Sequence, residues 1–172
     1  MTQAHLHLIL NHLPIVGIFF SAIILLFGLL KKNRTFTKLG LLGFVVMAVL
    51  MLPVYFTGEA AEHVVEEMPG SSHDMIHEHE DLGFIGLIIS LILGAFSWLL
   101  WFFIHRNRHQ NYSKYAWMML VFATVTFFFM MLVATHGGQI RRPELRTEDH
   151  EHSKLFQFKK IETYNYSQSF VC

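Results

Sequence analysis

The 172 residues include one cysteine, Cys172, so no disulfide can form within the chain and no cysteine-built zinc or iron–sulfur site is possible. Charge of either sign is not in excess: 13 Lys and Arg face 13 Asp and Glu, which leaves no basic surplus to hold nucleic acid. There is no Walker loop, no dinucleotide fingerprint and no G-x-S-x-G, and "HEHE" at 77–80 lacks the spacing of H-E-x-x-H. No charged residue falls in the middle of an apolar run, which argues against a proton pump or ion pathway. No internal repeat of the transporter kind is present.

What fills the chain instead is apolar. Hydrophobic residues make up 53%, with 17 Phe and 9 Met, too much for a soluble domain of this size. A helix crosses hydrocarbon with about 20 apolar residues. Four stretches qualify, roughly Leu8–Leu30, Leu39–Phe56, Leu82–Ile104 and Tyr115–Thr135. No Lys or Arg precedes the first and no small-residue cleavage site follows it, so it reads as a retained span and not a signal peptide. The expected fold is all-α: a four-helix transmembrane bundle over 1–136, followed by a polar C-terminal tail, 137–172, without period, flexible or bound to a partner.

Loop charge sets the expected orientation. The first connection carries Lys31, Lys32, Arg34 and Lys38, and the third carries Arg106, Arg108 and Lys114, with no acid in either. Neither the stretch before Leu8 nor the connection from Gly58 to Asp81 holds a Lys or Arg. Both termini and the middle connection are therefore expected outside, periplasmic in a bacterial inner membrane. Of the histidines, only His105 and His109 then lie inside; His5, His7, His12, His63, His73, His77, His79, His136, His150 and His152 sit at or beyond the outer ends, as do all 13 acids.

The middle connection reads as helix. Glu59, Glu62, His63 and Glu66 recur at i, i+3, i+4 and i+7, and Pro69-Gly70 then breaks the chain. Ser71 is placed to cap a new helix, with Asp74 three residues on. The second and third spans should project outward as a helical hairpin. His73 and His77 share a face with Glu80 and Asp81; His79 stands above Gly83, Gly86, Ser90 and Ser97, a column of small residues that admits a close helix or a flat cofactor. In the first span His5 and His12 face one way, while His7 and Asn11 form a second stripe; Pro14 frees the carbonyl of Leu10. Gly137-Gly138 should end the last helix just after His136, with Arg141 and Arg142 next.

Each span thus brings histidine to one end: His7 and His12, His63, His79, His136. Imidazole suits haem iron, zinc, copper and non-haem iron. A di-iron bundle needs paired Glu-x-x-His, which "EAAEH" does not supply. Haem b is the leading expectation, with His12 and His79 as first axial pair, His7 and His136 as second, and Arg141 at the propionates. Glu59, Glu80, Asn11 and His63 would stand beside the ligands, and Phe19, Phe20, Leu82, Phe84, Met130 and Met131 would form the walls. Zn, Cu or Fe on histidine and carboxylate is the alternative, and a cofactor-free accessory subunit the third.

The motifs "HLHLILNHLPIVG", "YFTGEAAEHVVEEMPG", "HEHEDLGFIG" and "ATHGGQIRRPEL" together resemble an uncharacterised family of bacterial four-helix integral membrane proteins, from about His5 to Leu145 and excluding the tail. In layout that family is similar to membrane-bound b-type cytochromes. The resemblance implies a preference for His7, His12, Glu59, His79 and Glu80, and no requirement for His63, His73 or His77. It implies an electron-transfer protein or haem-bearing subunit of a respiratory or photosynthetic complex. Its partners would be the lipid bilayer and other membrane or periplasmic redox subunits, not nucleic acid.

Overall fold

The structure is a computed structural model that describes the backbone of residues 3–66, 73–107 and 111–139, and side chains from residue 6 onward except at 60, 62–66, 73 and 74. All its regular structure is helical: α1 (Gln3–Leu10), α2 (His12–Leu30), α3 (Arg34–Glu66), α4 (His73–Arg106) and α5 (Ser113–Gln139). Among the described residues 4 stretches are long and apolar enough to cross a membrane, Leu6–Leu30, Arg34–Glu59, Met75–Arg106 and Ser113–Gln139. Helices α2, α3, α4 and α5 pack in a closed ring, each against the next and α5 back against α2, while α1 lies mainly on α3. Short connections between successive helices make it an up-down-up-down bundle.

The buried residues fall on one heptad-spaced seam per helix. On α2 the seam is Pro14, Ile18, Ser21, Leu25 and Gly28; on α5 it is Ala116, Met119, Ala123, Thr126, Met130 and Val133. Alternating steps of three and four residues keep a seam facing a neighbour at a shallow crossing angle. Small residues let backbones approach, as membrane bundles require. A Cβ on Gly40 would lie 2.7 Å from the backbone nitrogen of Leu25, and one on Gly94 would collide with the Ala48 Cβ. The buried hydroxyls of Thr37 and Thr126 donate back to the carbonyls of Asn33 and Phe122, at 3.0 and 2.9 Å, whereas Ser90 and Ser97 Oγ have no partner.

The first span is one rod with a fault. Pro14 has no N–H for the Leu10 carbonyl, and the helix is interrupted at Asn11, which nonetheless keeps αR angles (φ −61, ψ −28) and donates its N–H to the His7 carbonyl at 2.9 Å. At the other end Asn33 caps α3, its Oδ1 accepting from the N–H of Thr35 and Phe36 at 2.9 and 3.3 Å.

Helices α3 and α4 do extend past the apolar core. At 33 and 34 residues, each is about 50 Å long against roughly 30 Å of hydrocarbon. The hairpin tip, Pro69-Gly70 and the Ser71 cap lie outside the described residues, as do Arg141, Arg142 and the rest of 140–172. One expected boundary moves: α5 does not stop before Gly137-Gly138 but runs through both to Gln139. Neither glycine terminates the helix, and Gly137 is a packing position.

Candidate histidine site at one end of the bundle

The site begins where the α1 side of the first span meets α3. Pro53 stands inside α3 and weakens its hydrogen-bond ladder. One turn on, the Thr57 hydroxyl bonds back within the helix, reaching the carbonyls of Pro53 and Val54 at 2.7 and 3.0 Å. His7 Nδ1 takes the same Val54 carbonyl at 3.0 Å. A carbonyl can only accept, so Nδ1 carries the proton and Nε2 is left with its lone pair. The ring lies on Gly58, where a Cβ would come within 3.0 Å of His7 Cε1.

A second histidine sits on a second glycine. His79, on α4, lies flat against α5, where a Cβ on Gly137 would approach its Cε1 to 2.8 Å and its Nε2 to 3.2 Å. Only glycine leaves room for the ring. Gly137 continues the α5 seam, four residues beyond Val133, and His79 continues the α4 seam above Gly83, Gly86 and Ser90. The Nδ1 atom of His79 is buried without a hydrogen-bond partner. His136, on α5, stands one residue before Gly137, against which the His79 ring lies. His136 Nδ1 donates to the Leu132 carbonyl at 3.1 Å, and its Nε2 lies 3.8 Å from Oε1 of Glu78.

Three helices therefore bring His7, His79 and His136 to one end of the bundle, His7 and His136 with Nδ1 committed to a backbone carbonyl and His136 with Nε2 toward Glu78. That is the arrangement of imidazoles oriented for a metal, in which the second ring nitrogen is held by a carbonyl. The buried Nδ1 of His79 makes no well-formed hydrogen bond, although the Val133 backbone acts on the ring, and Oδ1 of Asn11 is buried without a partner. Among the described residues no group of 3 or more His, Cys, Asp or Glu side chains could hold one ion.

The structure does not bring His12 to this site. It is exposed on the flank of α2, because the seam runs through Asn11 and Pro14 and turns the following residue outward by about 100°. Glu59 is exposed, and Glu80 faces His77, with 3.8 Å between Oε2 and Nδ1. The side chain of His63 and the whole of Arg141 lie outside the described residues. Of the six expected wall residues, Phe19, Phe20, Phe84 and Met131 are exposed on the outer surface, Leu82 is half-buried, and Met130 alone is buried, against Gly86. Sequence reasoning missed Glu78, Thr57 and the Val54 carbonyl. No sequence signal marked them, since Thr57 only bonds back to carbonyls of its own helix, as threonines in helices commonly do.

Residues 3–142 match the family described as predicted membrane protein (DUF2231). No curated protein and no solved structure matches the chain.

Proposed function

The chain belongs to the DUF2231 family of predicted membrane proteins, and from that premise we propose that it is a membrane electron-transfer protein or haem-bearing subunit, with one haem b held at the histidine-rich end. His7 and His79 would hold it in this reading, with His136 in reserve. The observation that carries it is the paired seating of His7 on Gly58 and His79 on Gly137, with the His79 Nδ1 buried and without a well-formed hydrogen bond. A haem iron takes only one or two protein ligands, where a structural or mononuclear metal centre draws three or more from the chain; the described residues offer no such larger set. Gly83 supports the fit: a Cβ there would meet nothing within 4 Å, so α4 has open space one turn along from His79. When bound, haem would supply one-electron transfer. The chain's own residues orient the imidazoles, the Val54 carbonyl holding His7 and Gly137 seating His79. Arg141 would contact the propionates, and the histidine-rich end would face the periplasm.

A non-haem metal is the second reading, favoured by Glu78 lying against His136 beside His79. The absorption spectrum of the purified protein, oxidised and reduced, separates them. A Soret band with sharp α and β bands on reduction, lost in both His7→Ala and His79→Ala and kept in His12→Ala, is the expected result. Stoichiometric metal without those bands replaces haem with the second reading. Neither signal overturns both and leaves an accessory subunit without a cofactor.

A further inference from the structure

The opposite end of the bundle carries a second built feature, independent of the histidine site. Between Met1 and Gly58, and between Leu82 and Pro143, the sequence has no acidic residue. The described helices therefore bring no carboxylate to the end where α3 begins and α4 finishes. Lys38, half-buried on α3, places Nζ 3.4 Å from Nδ1 of His105 on α4 and 5.5 Å from the centre of the Trp101 ring. An ammonium can only donate, so His105 accepts at Nδ1 and its Nε2 carries the proton. Trp101 is stacked on both sides, against His105 (5.2 Å, 9°) and against Trp98 (5.3 Å, 11°). Arg34 holds the corner in place by donating to the Asn107 carbonyl at 2.7 Å.

The result is an ammonium beside an imidazole and a slab of stacked indoles, Trp98 being 48% exposed. Indoles of this kind sit at the level of the lipid headgroups, and basic pockets between spans hold anionic headgroups. We infer that the Lys38–His105–Trp101 corner is a seat for one anionic phospholipid, its phosphate on Lys38 and an acyl chain along Trp101 and Trp98. A lipid is favoured over free phosphate because the ammonium and the apolar slab are contiguous, and only an amphiphile uses both.

Native mass spectrometry of the full chain in detergent tests this, with phosphatidylglycerol, phosphatidylcholine and inorganic phosphate as probes. Wild-type protein should retain one phosphatidylglycerol more tightly than phosphatidylcholine. Lys38→Gln should weaken that retention about five-fold, the weight of one surface cation, while Lys114→Gln on α5 leaves it unchanged. Equal losses in the two variants would mean diffuse attraction and overturn the seat. So would equal retention of the two lipids, or phosphate adducts as abundant as lipid ones. Circular dichroism of each variant separates lost binding from lost folding, and Trp98→Leu, which keeps every charge, should shorten lipid retention on a folded protein.

Discussion

A neutral imidazole has one donating and one accepting nitrogen, and burying either without a partner costs roughly 1–3 kcal/mol. His7 meets this by donating to Val54. Replacing it need not orphan that carbonyl, because the Thr57 hydroxyl still reaches it. His7→Ala should therefore cost about 1 kcal/mol, the worth of one ordinary hydrogen bond, in thermal unfolding of the detergent-solubilised protein. His12 is exposed on an apolar helix with nothing to bond, so His12→Leu should change stability by no more than about 0.5 kcal/mol or raise it slightly. A larger loss in His12→Leu than in His7→Ala would reverse the assignment of which stripe faces the bundle. The two lie five residues apart and differ only in where the seam runs.

At the scale of the helix, Gly137 and Gly138 form a matched pair. A methyl at 137 enters the His79 ring, whereas one at 138 meets nothing within 4 Å. Gly137→Ala should destabilise by about 1–3 kcal/mol, as overpacking does, and shift any spectrum that depends on His79. Gly138→Ala should be neutral or gain up to about 1 kcal/mol of helix propensity, again read by thermal unfolding. Equal effects would show that His79 does not rest on α5. The spans, their number and the long outward extensions of α3 and α4 were legible in apolar run length and the i, i+3, i+4 spacing of Glu59 to Glu66. The choice between His7 and His12 was not, because two histidine stripes on one helix are equivalent until a neighbour packs on one. The alternation of three and four from Asn11 through Pro14, Ile18 and Ser21 to Leu25 marks the buried stripe, but it reads as a seam only once Ile18 and Leu25 are seen to be the core. The Gly137-Gly138 pair looked like a terminator for the same reason. A glycine that ends a helix and one that receives a ring from across the bundle are indistinguishable without the ring.

The molecule as a whole is polarised along its axis. The described ends of α2, α3 and α4 at one side carry Lys31, Lys32, Arg34, Lys38, His105 and Arg106, and the first acid in the sequence is Glu59, at the other end of α3. Moving short basic loops across a membrane is disfavoured, whereas acidic segments cross with little bias. The cation-rich end should then stay in the cytoplasm and the histidine site should face outward. The chain carries its own reporter for this, since Cys172 is its single thiol. A membrane-impermeant maleimide should label Cys172 on intact spheroplasts. In a Cys172→Ser background, a cysteine at Asn33, in the turn between α2 and α3, should react only after permeabilisation. The reverse pattern would put the histidines inside and leave a periplasmic electron donor no path to them, whatever the spectrum shows. The expected pattern leaves His7 and His79 within a few residues of the outer surface, where a donor from that side could reach a group held between them without crossing the bilayer.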